Sequence, residues 1–168
     1  MSTPQQPIDT PFNAASTADD VMAGIDLTGQ LAIVTGGHSG LGLVTTERLV
    51  AAGARVIVPA RDPQRARAAL AGIAGADRVD VRDMDLLYPN SVSAFSRRIV
   101  EEGQPVALLI NCAGVMASPL SRDVDGHESQ FATNHLGHYR LTCGLWPVMV
   151  ATGGARVISV SSRGHQIA

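Results

Sequence analysis

Short apolar runs alternate with amphipathic stretches along most of the chain. Leu31 to Thr35 (LAIVT) is an apolar, β-branched run between Gly29 and Gly36. Its length and composition suit a strand buried on both faces. Leu41 to Ala52 places Leu41, Val44, Leu49 and Val50 near one stripe and is followed by Gly53, a helix-stop residue. Ala54 to Ala60 (ARVIVPA) reads as a second strand, with Pro59 near its end, where proline is tolerated. Asp62-Pro63 opens a second helix, Asp at the N-cap and Pro at the first position. Arg78 to Arg82 is a weaker third strand, Asn90 to Glu102 a third helix, and Val106 to Asn111 (VALLIN) a fourth strand. His127 to about Val150 reads as one long helix, with a bend expected near Pro147. Ala155 to Ser161 (ARVISVS) is the fifth strand.

Strand and helix therefore alternate five times over short connections. That order implies right-handed crossovers and an α/β fold, a parallel sheet with helices on both faces. Upstream, Met1 to about Thr17 carries Pro4, Pro7 and Pro11 among polar residues and reads as a loose tail. Thr17 to Ala23 has the makings of a short helical turn. The expected division is a flexible tail over 1–24 and one domain over 25–168. There is no internal repeat beyond the βα alternation.

Composition adds exclusions. Of the 168 residues, 45% are hydrophobic and 17% charged, enough apolar material for a core. The net charge of −2 gives no reason to expect a nucleic-acid partner. No apolar run approaches the roughly 18 residues that span a bilayer, so no membrane partner is expected. The N-terminus lacks the basic-then-apolar pattern of a secretory signal. Two cysteines without metal-type spacing, Cys112 and Cys143, suit a reducing, cytoplasmic setting. All 13 basic residues are arginine, so any mechanism that needs a lysine is closed to these residues.

The chemistry concentrates in Thr35-Gly36-Gly37-His38-Ser39-Gly40-Leu41-Gly42, between the first strand and the first long helix. Glycines at 36, 40 and 42 permit a tight turn and close backbone approach to a pyrophosphate. The helix N-terminus then offers unpaired N–H groups to the anion. This G-x-x-x-G-x-G spacing resembles the cofactor loop of the short-chain dehydrogenase/reductase family. Four more segments match that family in order: Asp85-Leu86, Asn111-Cys112-Ala113-Gly114, Asn134 in Thr133-Asn134-His135-Leu136-Gly137-His138, and Ser161-Ser162. Leu27-Thr28-Gly29 and the Asn134–His138 phrase are similar to the branch with retinol dehydrogenases, WW-domain oxidoreductases and protochlorophyllide reductases.

The resemblance implies a Rossmann-type doubly wound parallel sheet of order 3-2-1-4-5 and an NAD(P)-dependent oxidoreductase. It implies hydride transfer between a nicotinamide and a carbonyl or secondary alcohol of a small molecule. Gly36, His38, Ser39, Gly40, Leu41, Gly42, Arg61, Asp85, Leu86, Asn111, Ala113, Gly114 and Ser161 are the implied cofactor residues. Ser162 is the implied catalytic serine, stabilising negative charge on a substrate oxygen. Asn134 is the implied member of a proton relay. Where an NAD enzyme places a carboxylate after the second strand, this chain has Ala60, followed by Arg61. Arg61 can pair with a 2′-phosphate, so NADP(H) is favoured and NAD(H) remains possible. Asp62 is expected to cap the helix rather than bind ribose. Asp85 has an alternative reading as the N-cap of the next helix, and Asn111 as a turn residue closing the fourth strand. His135 and His138 stand at i, i+3, but no third ligand is evident and no metal is expected. Buried or cofactor-facing positions are the expectation for both.

The family's proton donor is a tyrosine followed four residues later by lysine. Tyr88 is followed by Val92 and Tyr139 by Cys143. The pair is absent, so the fold is expected to be truncated after the fifth strand and the chain not catalytically competent alone. The edge Val157-Ile158-Ser159-Val160 would then be open. Two alternatives stay open: a non-catalytic nucleotide-binding protein, and a half-domain complemented by a separate C-terminal half. A homo-oligomer is also possible. The substrate is not named by these residues.

Overall fold

A computed structural model describes residues 9–162. The parts of the expected tail and domain over 1–8 and 163–168 lie outside the described residues. Five parallel strands form one sheet: β1 (Leu31–Val34), β2 (Arg55–Ala60), β3 (Val79–Asp83), β4 (Leu108–Asn111) and β5 (Arg156–Ser159). Their order is β3-β2-β1-β4-β5, as expected. The register pairs Ile33 with Ile57 on one side and Leu109 on the other.

Because successive side chains of a strand point to opposite faces, β1 feeds two cores. Leu31 and Ile33 join Ile57, Phe95, Ile99, Leu109, Leu141 and Leu145 on one face. Ala32 and Val34 join Val50, Val56, Val58, Ala66 and Leu70 on the other. The second face is covered by α2 (Gly40–Ala51) and α3 (Pro63–Leu70). The first is covered by α4 (Pro89–Glu102) and α6 (His138–Val150). Gly144 brings α6 close to α4: a Cβ there would stand 2.7 Å from Ser96 Cβ and Oγ.

Of the remaining helices, the start of the long one differs from the pattern-based reading. Ala18–Met22 forms a helix, α1, where a short helical turn was expected over Thr17 to Ala23. Thr17 and Asp20 cap it reciprocally, and Asp19 pairs with Arg48 of α2 at 3.0 Å. The long helix starts at Ser129 rather than His127. Glu128 takes the cap position, its two carboxylate oxygens accepting from the N–H groups of Gln130 and Phe131. After a first turn, α5 (Ser129–Phe131), the helix widens into a π segment over Ala132–Gly137 before α6. α6 runs on through Pro147 to Val150, the expected end. Its neighbours Leu145, Val148 and Met149 are buried, so packing holds the last turn although Pro147 donates no helical bond.

β5 is an edge strand among the described residues. All four of its residues are exposed, and Val157, Ile158 and Val160 are each 40–50% accessible. This matches the open edge anticipated from strand order.

Candidate functional site

A cavity of about 560 Å³ opens where the strands end. Its wall is built from Thr35 and Gly36 after β1, Pro59 to Arg61 at the end of β2, Met84 to Leu87 after β3, and Cys112 to Val115 after β4, with Val160 after β5. In an open parallel sheet this is where strand order reverses and ligands bind.

The glycine loop forms one side. Gly36 has φ +68°, and a Cβ on it would lie 3.0 Å from Ala113 Cα. A Cβ on Gly42 would run into the Gly36 carbonyl oxygen. These two glycines let the loop fold on itself and on the Asn111–Gly114 turn. Gly40 differs: it has φ +50° but nothing of the protein within 4 Å of a Cβ. Its requirement is backbone conformation. Ser39 is the N-cap residue of α2 but makes no side-chain cap bond, and no acidic residue occupies the first turn. The leading amides of a twelve-residue helix are thus left for an anion.

Most expected cofactor residues meet here. Gly36, His38, Ser39, Leu41, Gly42, Arg61, Asp85, Leu86, Ala113 and Gly114 line the cavity. Gly40, Asn111 and Ser161 are not among its lining residues. Asn111 is instead buried beneath the turn, its Nδ2 donating to Thr142 Oγ1 at 3.4 Å. Ser161 and Ser162 follow Val160 directly and are exposed.

At the end of β2, Ala60 is buried and Arg61 exposed. Asp62 caps α3, its Oδ1 accepting from the N–H of Arg65 at 3.0 Å. His38 also lines the cavity and is half-buried, with its Nδ1 lacking a hydrogen-bond partner. Desolvation, then the charges of Arg65 and Arg61, push its pKa below the usual histidine value, and Asp62 offsets part of this. Asp85 is not the N-cap of α4; Tyr88 holds that position. Asp85 Oδ1 accepts from the N–H of Leu87 at 2.9 Å, and its own N–H donates to Ser91 Oγ. That shapes the wall after β3 as an Asx turn.

Asn134 stands in the π segment and is exposed. Its side chain reaches the chain leaving β4 at Val115. The two histidines part company. His135 is exposed and stacks on Phe131, ring centroids 5.2 Å apart. His138 is buried, with Nε2 2.8 Å from Thr35 Oγ1 and Nδ1 2.8 Å from the Asn134 carbonyl oxygen.

Beyond the cavity's lip, Asp123, Asp125 and His127 bring potential ligand atoms within 4.8 Å of one another. Asp123 Oδ1 accepts from the N–H groups of both Asp125 and His127, so the cluster folds its own loop.

The short chain dehydrogenase family profile matches residues 30–167. The chain belongs to that family. Mouse retinol dehydrogenase 11 is 37% identical over 146 residues, covering 85% of this chain and 46% of its own. A Streptomyces antibioticus protein named "Probable oxidoreductase" is 44% identical, covering 84% of this chain and 48% of its own. The crystal structure of a metagenomic short-chain oxidoreductase in complex with NADP superposes with a TM-score of 0.67 at 29% identity. It covers 81% of this chain and 63% of that one. The chain spans about half the length of the curated relatives it matches.

In this short-chain dehydrogenase His138 is buried, one of the two positions expected for it, and it and Thr35 carry a role in the site that the sequence reading did not assign. Thr35 Oγ1 accepts from the N–H groups of Cys112 at 2.9 Å and Ala113 at 3.0 Å, tying the glycine loop to the opposite turn. His138 completes that tie. Thr35 opened the glycine motif and His138 lies one helical turn after Asn134, but neither spacing announced that they touch. Cys112, where the family resemblance implies asparagine, lines the cavity, and burial pushes its thiol pKa up.

Proposed function

We propose that the cavity holds a nicotinamide dinucleotide, NADP(H) in preference to NAD(H), and that the protein acts on a carbonyl or secondary alcohol of a small molecule. The observation that carries the preference is the end of β2. Buried Ala60 replaces a ribose-binding carboxylate, Arg61 lines the cavity, and Asp62 is engaged as a helix cap. The unpartnered His38 Nδ1 in the same wall is a further polar group suited to a phosphate oxygen. A charged hydrogen bond of about 1.5–3 kcal/mol corresponds to roughly ten- to hundredfold in affinity.

The glycine loop and the acid-free start of α2 fit the pyrophosphate. The nicotinamide, when bound, supplies or accepts the hydride. Asp85 and Leu86 are assigned to the adenine side, and Ala113 and Gly114 to the wall along the cofactor. Gly40, exposed on the loop, is assigned to the pyrophosphate side, Asn111 acts from beneath the turn by shaping it, and Ser161 is assigned to the nicotinamide end. Ser162 is assigned to the substrate oxygen, and Asn134 to the proton relay, with its side chain also holding Val115. Retinol dehydrogenase names among the relatives and the NADP complex among the structures support this reading.

Proton transfer needs a group these 168 residues lack, since neither tyrosine has a lysine four residues on. We propose that turnover requires a Tyr-x-x-x-Lys pair from outside them. Further strands, from a C-terminal half or another chain, would pair with β5. Both cysteines are free, in keeping with the proposed reducing, cytoplasmic setting. No helix among the described residues is long and apolar enough to cross a membrane.

Fluorescence titration with NADPH and NADH tests the cofactor assignment. Saturable binding with NADPH at least tenfold tighter is expected. Binding of neither overturns the site, and tighter NADH overturns the preference.

A further inference from the structure

The hydrogen bonds around Thr35 leave one consistent arrangement of protons. Its Oγ1 is the acceptor for two amides, Cys112 N–H at 2.9 Å and Ala113 N–H at 3.0 Å. A threonine hydroxyl has two lone pairs and one proton. Both lone pairs are taken, so the hydroxyl must donate elsewhere. Two acceptors are within reach: His138 Nε2 at 2.8 Å and the Ile110 carbonyl at 3.4 Å. The shorter contact is to the ring. On the other side of that ring, Nδ1 lies 2.8 Å from the Asn134 carbonyl oxygen, which can only accept. Nδ1 therefore carries the proton and Nε2 the lone pair.

We propose that His138 is a positioning residue, held as the neutral Nδ1–H tautomer. Its Nε2 draws the Thr35 proton away and commits both Thr35 lone pairs to the Asn111–Gly114 turn against the cofactor cavity. This rests on the reading that the cavity takes a nicotinamide dinucleotide. A proton on Nε2 would set two donors against each other. Thr35 would have to turn and release Cys112 or Ala113, the residues that line the cavity on that side. His138 thereby makes the shape of the turn depend on pH.

The surroundings keep the ring neutral. His138 is 7% exposed, and burial, the main influence, holds its pKa below the ordinary 6.5. The Asn134 carbonyl bond works the other way, and His135 on the neighbouring turn opposes a second positive charge. The Cys112 thiol on the turn is kept neutral by its own burial. Among the described residues no carboxylate contributes to lowering the cost of charging the ring.

Two measurements on the protein decide the matter. Long-range ¹H–¹⁵N correlation of the imidazoles at neutral pH is expected to show His138 protonated at Nδ1 alone. A proton on Nε2 overturns the proposal whatever the cofactor does. NADPH binding is then followed against pH for the wild type, His138→Phe and His138→Gln. Phenylalanine fills the space without an acceptor, and about tenfold weaker binding is expected. Glutamine offers an oxygen at the Nε2 position and is expected to recover most of that loss. It cannot titrate, so the wild type's weakening below pH 6.5 should flatten. Equal affinities for the two variants, or a wild-type profile with no such weakening, would reduce the ring to a space-filler. Absence of any NADPH or NADH binding by the wild type overturns the dinucleotide reading instead, and the tautomer spectrum still decides the Thr35–His138 tie.

Discussion

Asn134 and Val115 are joined twice: Asn134 Nδ2 donates to the Val115 carbonyl at 2.8 Å, and the Val115 N–H donates to Asn134 Oδ1 at 2.8 Å. A side chain of the π segment thus pairs with main chain as a neighbouring strand would. It clips the loop after β4 to the helix.

Removing the clip has a measurable cost. Asn134→Ala is expected to lower stability by about 1 kcal/mol, because the groups released can reach water. Asn134→Asp keeps the acceptor for Val115 N–H and loses the donor, and should fall between. Urea midpoints check this, and an unchanged midpoint for Asn134→Ala would show that the clip contributes nothing.

The glycines of the loop are unequal. Gly42→Ala drives a methyl into the Gly36 carbonyl oxygen. That should cost about 2–3 kcal/mol and distort the anion-binding turn. Gly40→Ala has open space and bears only the strain of φ +50°, about 1–2 kcal/mol. Thermal melts rank the two, and the reverse order would refute the packing account. Gly40→Val should still abolish cofactor binding, by extending into the space proposed for the pyrophosphate.

Arg61→Ala should weaken NADPH roughly ten- to hundredfold and leave NADH nearly unchanged. Titration with both cofactors reads this directly. Equal losses would mean that Arg61 does not meet the 2′-phosphate.

Stability should fall in two stages as pH drops. His38 and His138 both have folded pKa values below 6.5, chiefly through desolvation. The unfolded chain then binds more protons, so their contribution is complete above about pH 6.5 and is lost as pH falls below it, through the folded values. Glu128 is lowered from 4.5 mainly by the N–H groups of Gln130 and then Phe131. Its contribution is present above pH 4.5 and disappears at lower pH. Urea denaturation from pH 8 to pH 3 should show both declines, the first reduced in His138→Gln. A flat profile from pH 7.5 to pH 5 would contradict the histidine assignment.

Much of this was readable along the chain. Apolar runs located four of the five strands, the third was the weaker Arg78 to Arg82, and Asp62-Pro63 located the start of α3, because strand burial and helix capping are local properties. Strand order and the position of Gly36 and Gly42 followed from βα alternation and from the family resemblance. The start of the long helix was misplaced because Glu128 caps through its carboxylate, a role usually taken by shorter side chains. Asp85 was weighed as a helix cap, yet α4 begins four residues later and leaves Asp85 in the cavity wall.

By itself, the sequence determined the parallel sheet with two helix layers, the glycine loop at the start of α2, and that these 168 residues supply no lysine. Periodicity and residue type suffice for those, since each depends on neighbours a few positions away. Only the tertiary structure decided that Asn111 lies under the cavity while Cys112 lines it, that Asn134 clips Val115, and that His138 meets Thr35. The last two are 103 residues apart, and they meet where β1 and β4 are adjacent in the sheet. No local pattern encodes such a meeting. It is set by which strands pair and by burial, which makes polar groups seek partners within the protein.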